Sequence, residues 1–226
     1  MSSRPGPGSR DASGAADRPA GSVPRVGVLG AASVPGSRIL EVVARSGRAA
    51  GDARPPVAID KVRGRVATAE WRLADAANPA VVRALRDLDV AVWVAAETDL
   101  ESALRVRPSE RRERVVRTAQ TLVTAAAAAG VPRLVVVTSA QVYGATADNP
   151  VPLPEDAHLN GVRDGGVVGD LLAVEDVIED AQRVHPGLSI TVVRPAALVG
   201  PGIDTVVTRH FEAPRLLTVK GANPAW

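Results

Sequence analysis

The chain has 226 residues, 46% of them hydrophobic and 23% charged, with a formal net charge of +2 and no cysteine. This length supports one well-cored domain, and the small charge argues against a nucleic-acid partner. Without cysteine, disulfides, thiolate metal sites and cysteine nucleophiles are excluded, and we predict no metal site. No apolar run approaches the roughly 20 residues of a membrane span and no signal segment stands out, so we expect a cytoplasmic protein with no membrane partner.

We predict that the ordered part of the chain begins at Arg25. Residues 1–24 consist mainly of Ser, Gly, Pro, Ala and Arg, which predicts a disordered tail. After it, short Val-rich runs typical of buried parallel strands alternate with helical patterns. The strand-like runs are RVGVLG, PVAID, DVAVWVAA, RLVVVTS and SITVVRP, and the helix-like runs are SRILEVVARSG, SERRERVVRTAQTLVTAAAAAG and DLLAVEDVIEDAQRV. The alternation predicts an α/β fold, a doubly wound parallel sheet of at least six strands with helices on both faces and residues 25–29 central.

The turn after the first predicted strand carries two glycines, Gly30 and Gly36, six residues apart. This spacing is typical of dinucleotide-binding folds, in which glycines allow a sharp turn and a helix N-terminus faces the pyrophosphate with free amides. The intervening glycine of the pattern is replaced by Ser33, and Pro35 stiffens the loop. We predict that Gly30, Ser33 and Gly36 line a pyrophosphate; the alternative is that the two glycines serve only packing.

Asp60 ends the second predicted strand and is the candidate for binding an adenosine ribose. A carboxylate at this place can accept hydrogen bonds from both ribose hydroxyls and repel a 2′-phosphate, which favours NAD. Lys61 and Arg63 follow it in the sequence and could instead receive that phosphate, so NADP is not excluded. An ordinary turn aspartate is the structural alternative.

Four segments resemble, in the same order, the NAD-dependent epimerase/dehydratase family, the extended short-chain dehydrogenase/reductases: ADAANPAVVRAL, DVAVWVAAETD, AGVPRLVVVTSAQVYG and ITVVRPAALVGPG. The resemblance implies an NAD(P)-binding Rossmann-like fold and the transient oxidation of a hydroxyl, on a nucleotide sugar or another small hydroxyl or carbonyl substrate. It also implies that Asp75 contacts the adenine, that Ala95 and Ala96 line the cofactor, and that Pro195 borders the nicotinamide.

The same resemblance assigns Ser139 to polarising the reacting carbonyl and Tyr143 to a structural or substrate-side role. The family's base is the tyrosine of a Tyr-x-x-x-Lys motif at the start of the next helix, where the lysine lowers the tyrosine pKa. Aligned on GVVGDLLAVEDVIEDA, that tyrosine and lysine correspond to Val167 and Leu171. The chain has a single tyrosine, and Ala147 stands four positions after it, so the motif is absent in any register.

Substitutes for the missing base are carboxylates on the same helix and the histidines. Asp170 could act if it faced the pocket, but we expect it to lie with Glu175 and Glu179 on a solvated helix face. The RRER stretch at 111–114 is also expected to be a solvated helix face. The three histidines are expected to be surface or loop residues: His158, His185 and His210.

We divide the chain into the tail, a dinucleotide-binding domain over 25–207, and the start of a substrate-binding lobe over 208–226 that is truncated relative to the resembling family. Apolar residues in that last stretch would lack partners, which leaves a homodimer open. Three functions remain: a nucleotide-sugar enzyme with a replaced base, a cofactor-binding pseudoenzyme or redox-sensing regulator, and a truncated domain that binds nothing.

Overall fold

The computed structural model describes residues 23–96, 99–147 and 149–215. Most of the predicted tail, and residues 216–226 of the predicted substrate lobe, lie outside the described residues. The strands are β1 (Val26–Leu29), β2 (Val57–Asp60), β3 (Glu70–Leu73), β4 (Val90–Val94), β5 (Arg133–Val137) and β6 (Ser189–Val193). The helices are α1 (Val34–Ala49), α2 (Leu100–Leu104), α3 (Pro108–Ala129), α4 (Val167–Val184) and α5 (Val206–Glu212), with 3₁₀ turns at Pro79–Arg83 and Ala140–Tyr143. Over the described residues, no helix is long and apolar enough to cross a membrane.

The strands form one parallel sheet in the order β3-β2-β1-β4-β5-β6, which confirms the predicted doubly wound fold and the central place of the first strand. Val28 of β1 pairs with Ala58 of β2 on one side and with Val92 of β4 on the other. The winding of the chain therefore reverses at the boundary between β1 and β4. In sheets of this kind, ligands bind at the carboxyl ends of the strands beside such a boundary.

Two apolar cores cover the faces of the sheet, because successive residues of a strand point to opposite faces. Leu29 of β1 shares one core with Leu122 of α3 and Ile178 of α4. Its neighbour Val28 shares the other core with Leu40 of α1. Helices thus flank both faces of the sheet. The polar candidate residues lie at its carboxyl edge, which the two apolar cores do not cover.

Candidate functional site

All of the predicted site residues lie at the carboxyl edge of the sheet. We call the β1–α1 turn and the ends of β2 and β3 the first half of the site, and the ends of β4, β5 and β6 with the start of α4 the second half. The halves meet at the boundary between β1 and β4. The first half holds Gly30, Ser33, Gly36, Asp60 and Asp75, and the second half holds Ala95, Ala96, Ser139, Tyr143, Val167, Leu171 and Pro195.

The β1–α1 turn is shaped by its two glycines. Gly30 has a φ of 75°, which few side chains tolerate, and its N–H donates to the Ile59 carbonyl at 3.0 Å, which ties the turn to β2. Gly36 is buried, and a Cβ there would lie 2.9 Å from the carbonyl carbon of Gly30 and 3.0 Å from the Cα of Ala31. Helix α1 therefore starts directly against the end of β1, the close approach that a pyrophosphate-binding turn requires.

The start of α1 has fewer amides to offer an anion than a glycine-rich turn would have. Ser33 is the N-cap, and its Oγ accepts a hydrogen bond from the Gly36 N–H at 3.2 Å. Pro35 has no N–H, and the Ala32 N–H donates to Oδ2 of Asp60 at 2.9 Å. The turn has the shape of a dinucleotide site, but its serine and proline reduce the number of free donors.

Asp60 and Asp75 are the carboxylates of the first half. Besides the Ala32 bond, the Asp60 carboxylate accepts from the Lys61 N–H at 2.7 Å, so two amides orient it at the end of β2. The Asp75 side chain is 45% exposed, and it accepts from the Ala77 N–H at 2.9 Å. The Lys61 ammonium lies 3.9 Å from the Asp75 carboxylate, so Lys61 forms an ion pair with an acid of the same half.

A buried carboxylate joins the strand ends of the second half. The Glu175 side chain of α4, 6% exposed, accepts from Arg194 at 2.6 and 2.9 Å and from the Thr138 hydroxyl at 2.7 Å. Arg194 Nη1 also donates to the Tyr143 hydroxyl at 3.0 Å, and that hydroxyl donates to the Glu155 carbonyl at 2.8 Å. The hydrogen bonds to Glu175 raise the pKa of Arg194 above its ordinary value, against the effect of burial.

This network corrects one expectation from the sequence. The prediction that Glu175 lies on a solvated helix face is wrong, because β5 and β6 end against that face and supply Thr138 and Arg194 as partners. Glu179, one turn later, is exposed. The sequence signals for the pair are the Arg-Pro dipeptide after β6 and an acid on α4, but neither signal identifies the other as its partner.

The start of α4 forms a corner of the second half with Ala95. Val167 is the first residue of the helix, and Leu171, one turn later, is buried in an apolar cluster with Val142 and Tyr143. Val167, Leu171 and Ala95 line a cavity of about 40 Å³. By comparison, a cavity that takes up benzene measures ~150 Å³. This side of the corner is therefore apolar, and its cavity is too small for an aromatic ring.

The remaining wall of this corner is a buried ion pair. Asp170 accepts from Arg111 Nε at 2.5 Å and from Arg112 Nε at 3.3 Å. Arg111 also donates to the Gly165 carbonyl and Arg112 to the Asp164 carbonyl, which binds the loop before α4 to α3. The predictions of a solvated Asp170 and a solvated RRER stretch are wrong for these three side chains, because α3 and α4 pack together here and a buried carboxylate requires cationic partners.

Backbone hydrogen bonds join the strand ends of the second half. The N–H groups of Ala95 and Ala96 both donate to the Val137 carbonyl, at 2.9 and 3.1 Å. The Ala140 N–H donates to the Pro195 carbonyl at 2.8 Å. The loops that follow β4, β5 and β6 are therefore held side by side at this edge.

The chain after β6 returns across the second half. Although β5 and β4 separate β6 from β1, Gly202 lies against Val34 at the start of α1, where a Cβ on Gly202 would be 3.3 Å from Val34 Cγ2. This chain is also bonded to the segment that follows β4, since Oδ2 of Asp204 accepts from the Glu101 N–H at 2.9 Å. We call residues 200–205 the roof segment, because the path from β6 to Val34 crosses the ends of β5 and β4.

The other candidate groups are a serine and three histidines. Ser139 is half-buried and caps the 3₁₀ turn after β5, and its Oγ accepts from the Gln141 N–H at 3.3 Å. His158 and His210 are exposed, and His185 is the C-cap of α4. Within the described ranges, no group of three acidic, histidine or cysteine side chains is arranged to hold a metal ion.

A family model described as NAD(P)H-binding matches residues 30–215. Among curated proteins, the chain is similar to the uncharacterized proteins Rv0501 of Mycobacterium tuberculosis and Mb0513 of Mycobacterium bovis. Each is 28% identical over 160 residues, which cover 70% of this chain and 43% of the relative. The chain thus spans less than half the length of the curated relatives it matches.

Solved structures with the same fold extend the comparison. MoeE5 in complex with UDP-glucose and NAD is 25% identical, with a TM-score of 0.63 over 82% of this chain and 59% of that chain. A double mutant of DesIV, the dTDP-glucose 4,6-dehydratase from Streptomyces venezuelae, is 23% identical, with a TM-score of 0.67 over 85% of this chain and 63% of that chain. TunA, an NAD-dependent NDP-hexosamine 5,6-dehydratase, is 24% identical, with a TM-score of 0.65 over 83% of this chain and 60% of that chain. The predicted resemblance to epimerases and dehydratases is confirmed at the level of the fold, and the family match over most of its length establishes that this chain belongs to the NAD(P)H-binding family.

Proposed function

We propose that this chain binds NAD and has lost the proton-transfer chemistry of the epimerases and dehydratases it resembles, which makes it a cofactor-binding pseudoenzyme. The observation that carries the proposal is the corner at the start of α4, where Val167 and Leu171 stand at the positions of the tyrosine and lysine. Neither side chain can accept a proton, and Leu171 belongs to a buried apolar cluster. The single tyrosine, Tyr143, has its hydroxyl bonded to Arg194 and Glu155.

The residues of the first half fit a dinucleotide in shape and charge. Gly30 and Gly36 bring the helix terminus against the end of β1, and a helix N-terminus stabilises an anionic pyrophosphate. Asp60, oriented by two amides, can accept hydrogen bonds from ribose hydroxyls, and Asp75 is open to solvent toward the end of β3. When bound, NAD supplies a hydride acceptor, and the residues of this half bind and orient it.

The second half lacks a base for the reaction of the resembling family. Oxidation of a hydroxyl requires that its proton be removed as the hydride leaves, and general acid–base catalysis contributes roughly 10²–10⁴ in rate. Ser139 can donate a hydrogen bond to a carbonyl, but a serine hydroxyl alone is not a base at neutral pH. We therefore expect turnover by this chemistry to be undetectable or very slow.

We expect NAD to bind more tightly than NADP. The Asp60 carboxylate would repel a 2′-phosphate on the ribose it binds. The nearest candidate cation, Lys61, is directed toward Asp75 and shares its charge with that acid. Replacing Lys61 would therefore affect the preference less than replacing Asp60.

An active nucleotide-sugar enzyme is the second candidate. It is supported by Ser139 at the end of β5 and by the likeness to MoeE5, whose complex contains UDP-glucose with NAD. The present chain covers 59% of that structure. This candidate function includes a homodimer, in which a second copy of the chain completes the sugar site.

Isothermal titration calorimetry with NAD⁺, NADH and NADPH tests the proposal, followed by an absorbance assay for NADH formation with a panel of UDP- and dTDP-hexoses. We expect NAD⁺ and NADH to bind and no hexose to reduce the cofactor. Turnover that persists in Tyr143→Phe but disappears in Ser139→Ala would establish the enzyme instead. Failure of all three dinucleotides to bind the folded protein would reject both candidates.

A further inference from the structure

We infer that the site recognises the adenosine diphosphate moiety of its ligand and leaves the nicotinamide half almost without polar contacts, so that ADP-ribose binds about as tightly as NAD. The inference rests on the proposed function, because it concerns the same dinucleotide site. Its consequence is that the protein responds to adenine nucleotides as a class and does not distinguish NAD⁺ from NADH.

The first argument is that, among the described residues of the second half, the polar side chains other than Ser139 are already bonded to protein partners. Thr138 and Arg194 bond to Glu175, and Tyr143 bonds to Arg194. Arg111 of α3 and Asp170 of α4 are likewise bonded to each other. A side chain that leaves such a partner for a ligand loses a bond as strong as the one it forms, so these groups add little net affinity for a ribose or a carboxamide.

The second argument is the volume and chemistry of the corner at the start of α4. Its cavity of about 40 Å³ is lined on one side by Val167, Leu171 and Ala95. Ribose hydroxyls facing these side chains would give up hydrogen bonds to water without receiving others, which is unfavourable. The corner therefore does not admit an aromatic ring, and its contact with a sugar adds no binding affinity.

The third argument is the roof segment over the second half. A nucleotide that lay along β4 and β5 would have to displace the contact of Gly202 with Val34 or the bond from Glu101 to Asp204. The carboxylates of the first half are differently placed, with Asp75 45% exposed at the far end of the sheet. A ligand can therefore reach these carboxylates without moving the roof segment, whose contact with the first half is at Val34.

Calorimetry with ADP, ADP-ribose, NAD⁺, NADH and nicotinamide mononucleotide tests the inference on the unmodified chain. We expect the dissociation constants of ADP-ribose, NAD⁺ and NADH to agree within about threefold, and nicotinamide mononucleotide to show no binding up to about 1 mM. The comparison of ADP with ADP-ribose shows whether a diphosphate that ends in a free phosphate binds as tightly as one that continues into a larger ligand. NAD⁺ binding at least about tenfold more tightly than ADP-ribose would overturn the inference.

A pair of matched double variants tests whether the corner causes this behaviour. Arg111→Ala with Asp170→Ala opens the corner, and Arg112, which loses its bond to Asp170, keeps its bond to the Asp164 carbonyl. We expect this double variant to shift the ratio of affinities toward NAD⁺ by about fivefold. Glu113→Ala with Arg117→Ala removes an exposed pair from the same helix and should leave the ratio unchanged. An unchanged ratio in the folded corner variant would show that the corner does not exclude the nicotinamide half.

The two proposals fail in different ways. If neither ADP-ribose nor NAD⁺ binds the folded chain, the proposed function itself is wrong. If both bind and NAD⁺ is strongly preferred, dinucleotide binding stands and the recognition of the adenosine diphosphate moiety alone is wrong. Asp60→Ala sharpens this distinction, because it should weaken ADP-ribose and NAD⁺ by the same factor.

Discussion

The two halves of the site lie on one edge of one sheet, yet their polar side chains are used differently. In the first half, Asp60 is bonded to turn amides and Asp75 is open to solvent. In the second half, Glu175 and Asp170 are buried and paired with arginines. The comparison teaches that a carboxylate near a predicted site is informative only once its partners are known.

The difference has a physical cause. A carboxylate removed from water is stable only beside a cation with well-formed hydrogen bonds, and removing that cation is strongly destabilising. Once such pairs are formed, their members hold the fold together and are poorly available to a ligand. The first half, whose charges stay near water, keeps groups that can exchange solvent for a nucleotide at low cost.

Gly36→Val should produce the largest effect and abolish the function of the first half. The new side chain would meet backbone atoms of Gly30 and Ala31, so the turn must open and nucleotide affinity should fall by more than about 100-fold. Gly47→Val is the matched control on the same helix, because a Cβ there would have no atom within 4 Å apart from its chain neighbours and the backbone of its own helix. Calorimetry and circular dichroism measure binding and folding, and undiminished affinity in Gly36→Val would remove this turn from the site.

Glu175→Ala should produce the largest loss of stability in the second half. It leaves Arg194 without its buried partner, and we expect the free energy of unfolding to fall by about 3 kcal/mol. Asp176→Ala is the control from the next position, since the side chains of Asp176 and its partner Arg163 are 53% and 56% exposed, and it should cost less than about 1 kcal/mol. Urea denaturation measures both. Equal losses would show that burial does not separate the two pairs.

Tyr143→Phe should have a smaller effect and should act only on stability. The variant removes the hydroxyl that bridges Arg194 and the Glu155 carbonyl, which we expect to cost about 1 kcal/mol. Nucleotide affinity should stay within about twofold, because the hydroxyl lies in the second half and is occupied by protein partners. A large loss of affinity measured by calorimetry would assign the tyrosine to the ligand.

The smallest effect concerns the pH dependence of the roof segment. The hydrogen bond with Arg209 lowers the pKa of Asp204 below its ordinary value. A group with a lowered pKa stabilises the fold fully above its unfolded pKa of about 3.9 and loses that contribution as the pH falls through its folded value. The difference in unfolding free energy between the unmodified chain and Asp204→Asn should therefore be constant from about pH 5 to about pH 8 and shrink below about pH 4. A difference that changes near neutrality would show that another group titrates with the roof segment.

The features that the sequence predicted correctly depend on short stretches of chain. The strand that Asp60 ends and the glycine turn before α1 could be read from apolar runs and spacing, since strands and turns are encoded over a few residues. The short helices α2 and α5 were not predicted, because five and seven residues carry too little periodicity to be recognised. The roles of Ser139 and Pro195 in binding stay predictions.

The features that sequence reasoning misjudged depend on distant partners. Asp170 and Arg111 are 59 positions apart, and Glu175 and Arg194 are 19 positions apart. A carboxylate on an amphipathic helix is as compatible with water as with a buried arginine, so the helix pattern alone cannot choose between them. Packing of α3 against α4, and of α4 against the strand ends, makes that choice.

By itself, the sequence determined the order of five of the strands and of the three long helices, the glycine turn and the absence of a Tyr-x-x-x-Lys motif, because each depends on which residues are present and on their local spacing. Only the tertiary structure decided that Arg194 bonds to both Glu175 and Tyr143 and that the roof segment returns to Val34. Those contacts bring together residues from different elements of the sheet. The free energy of a buried charge depends on what surrounds it, and that environment exists only after the elements have packed.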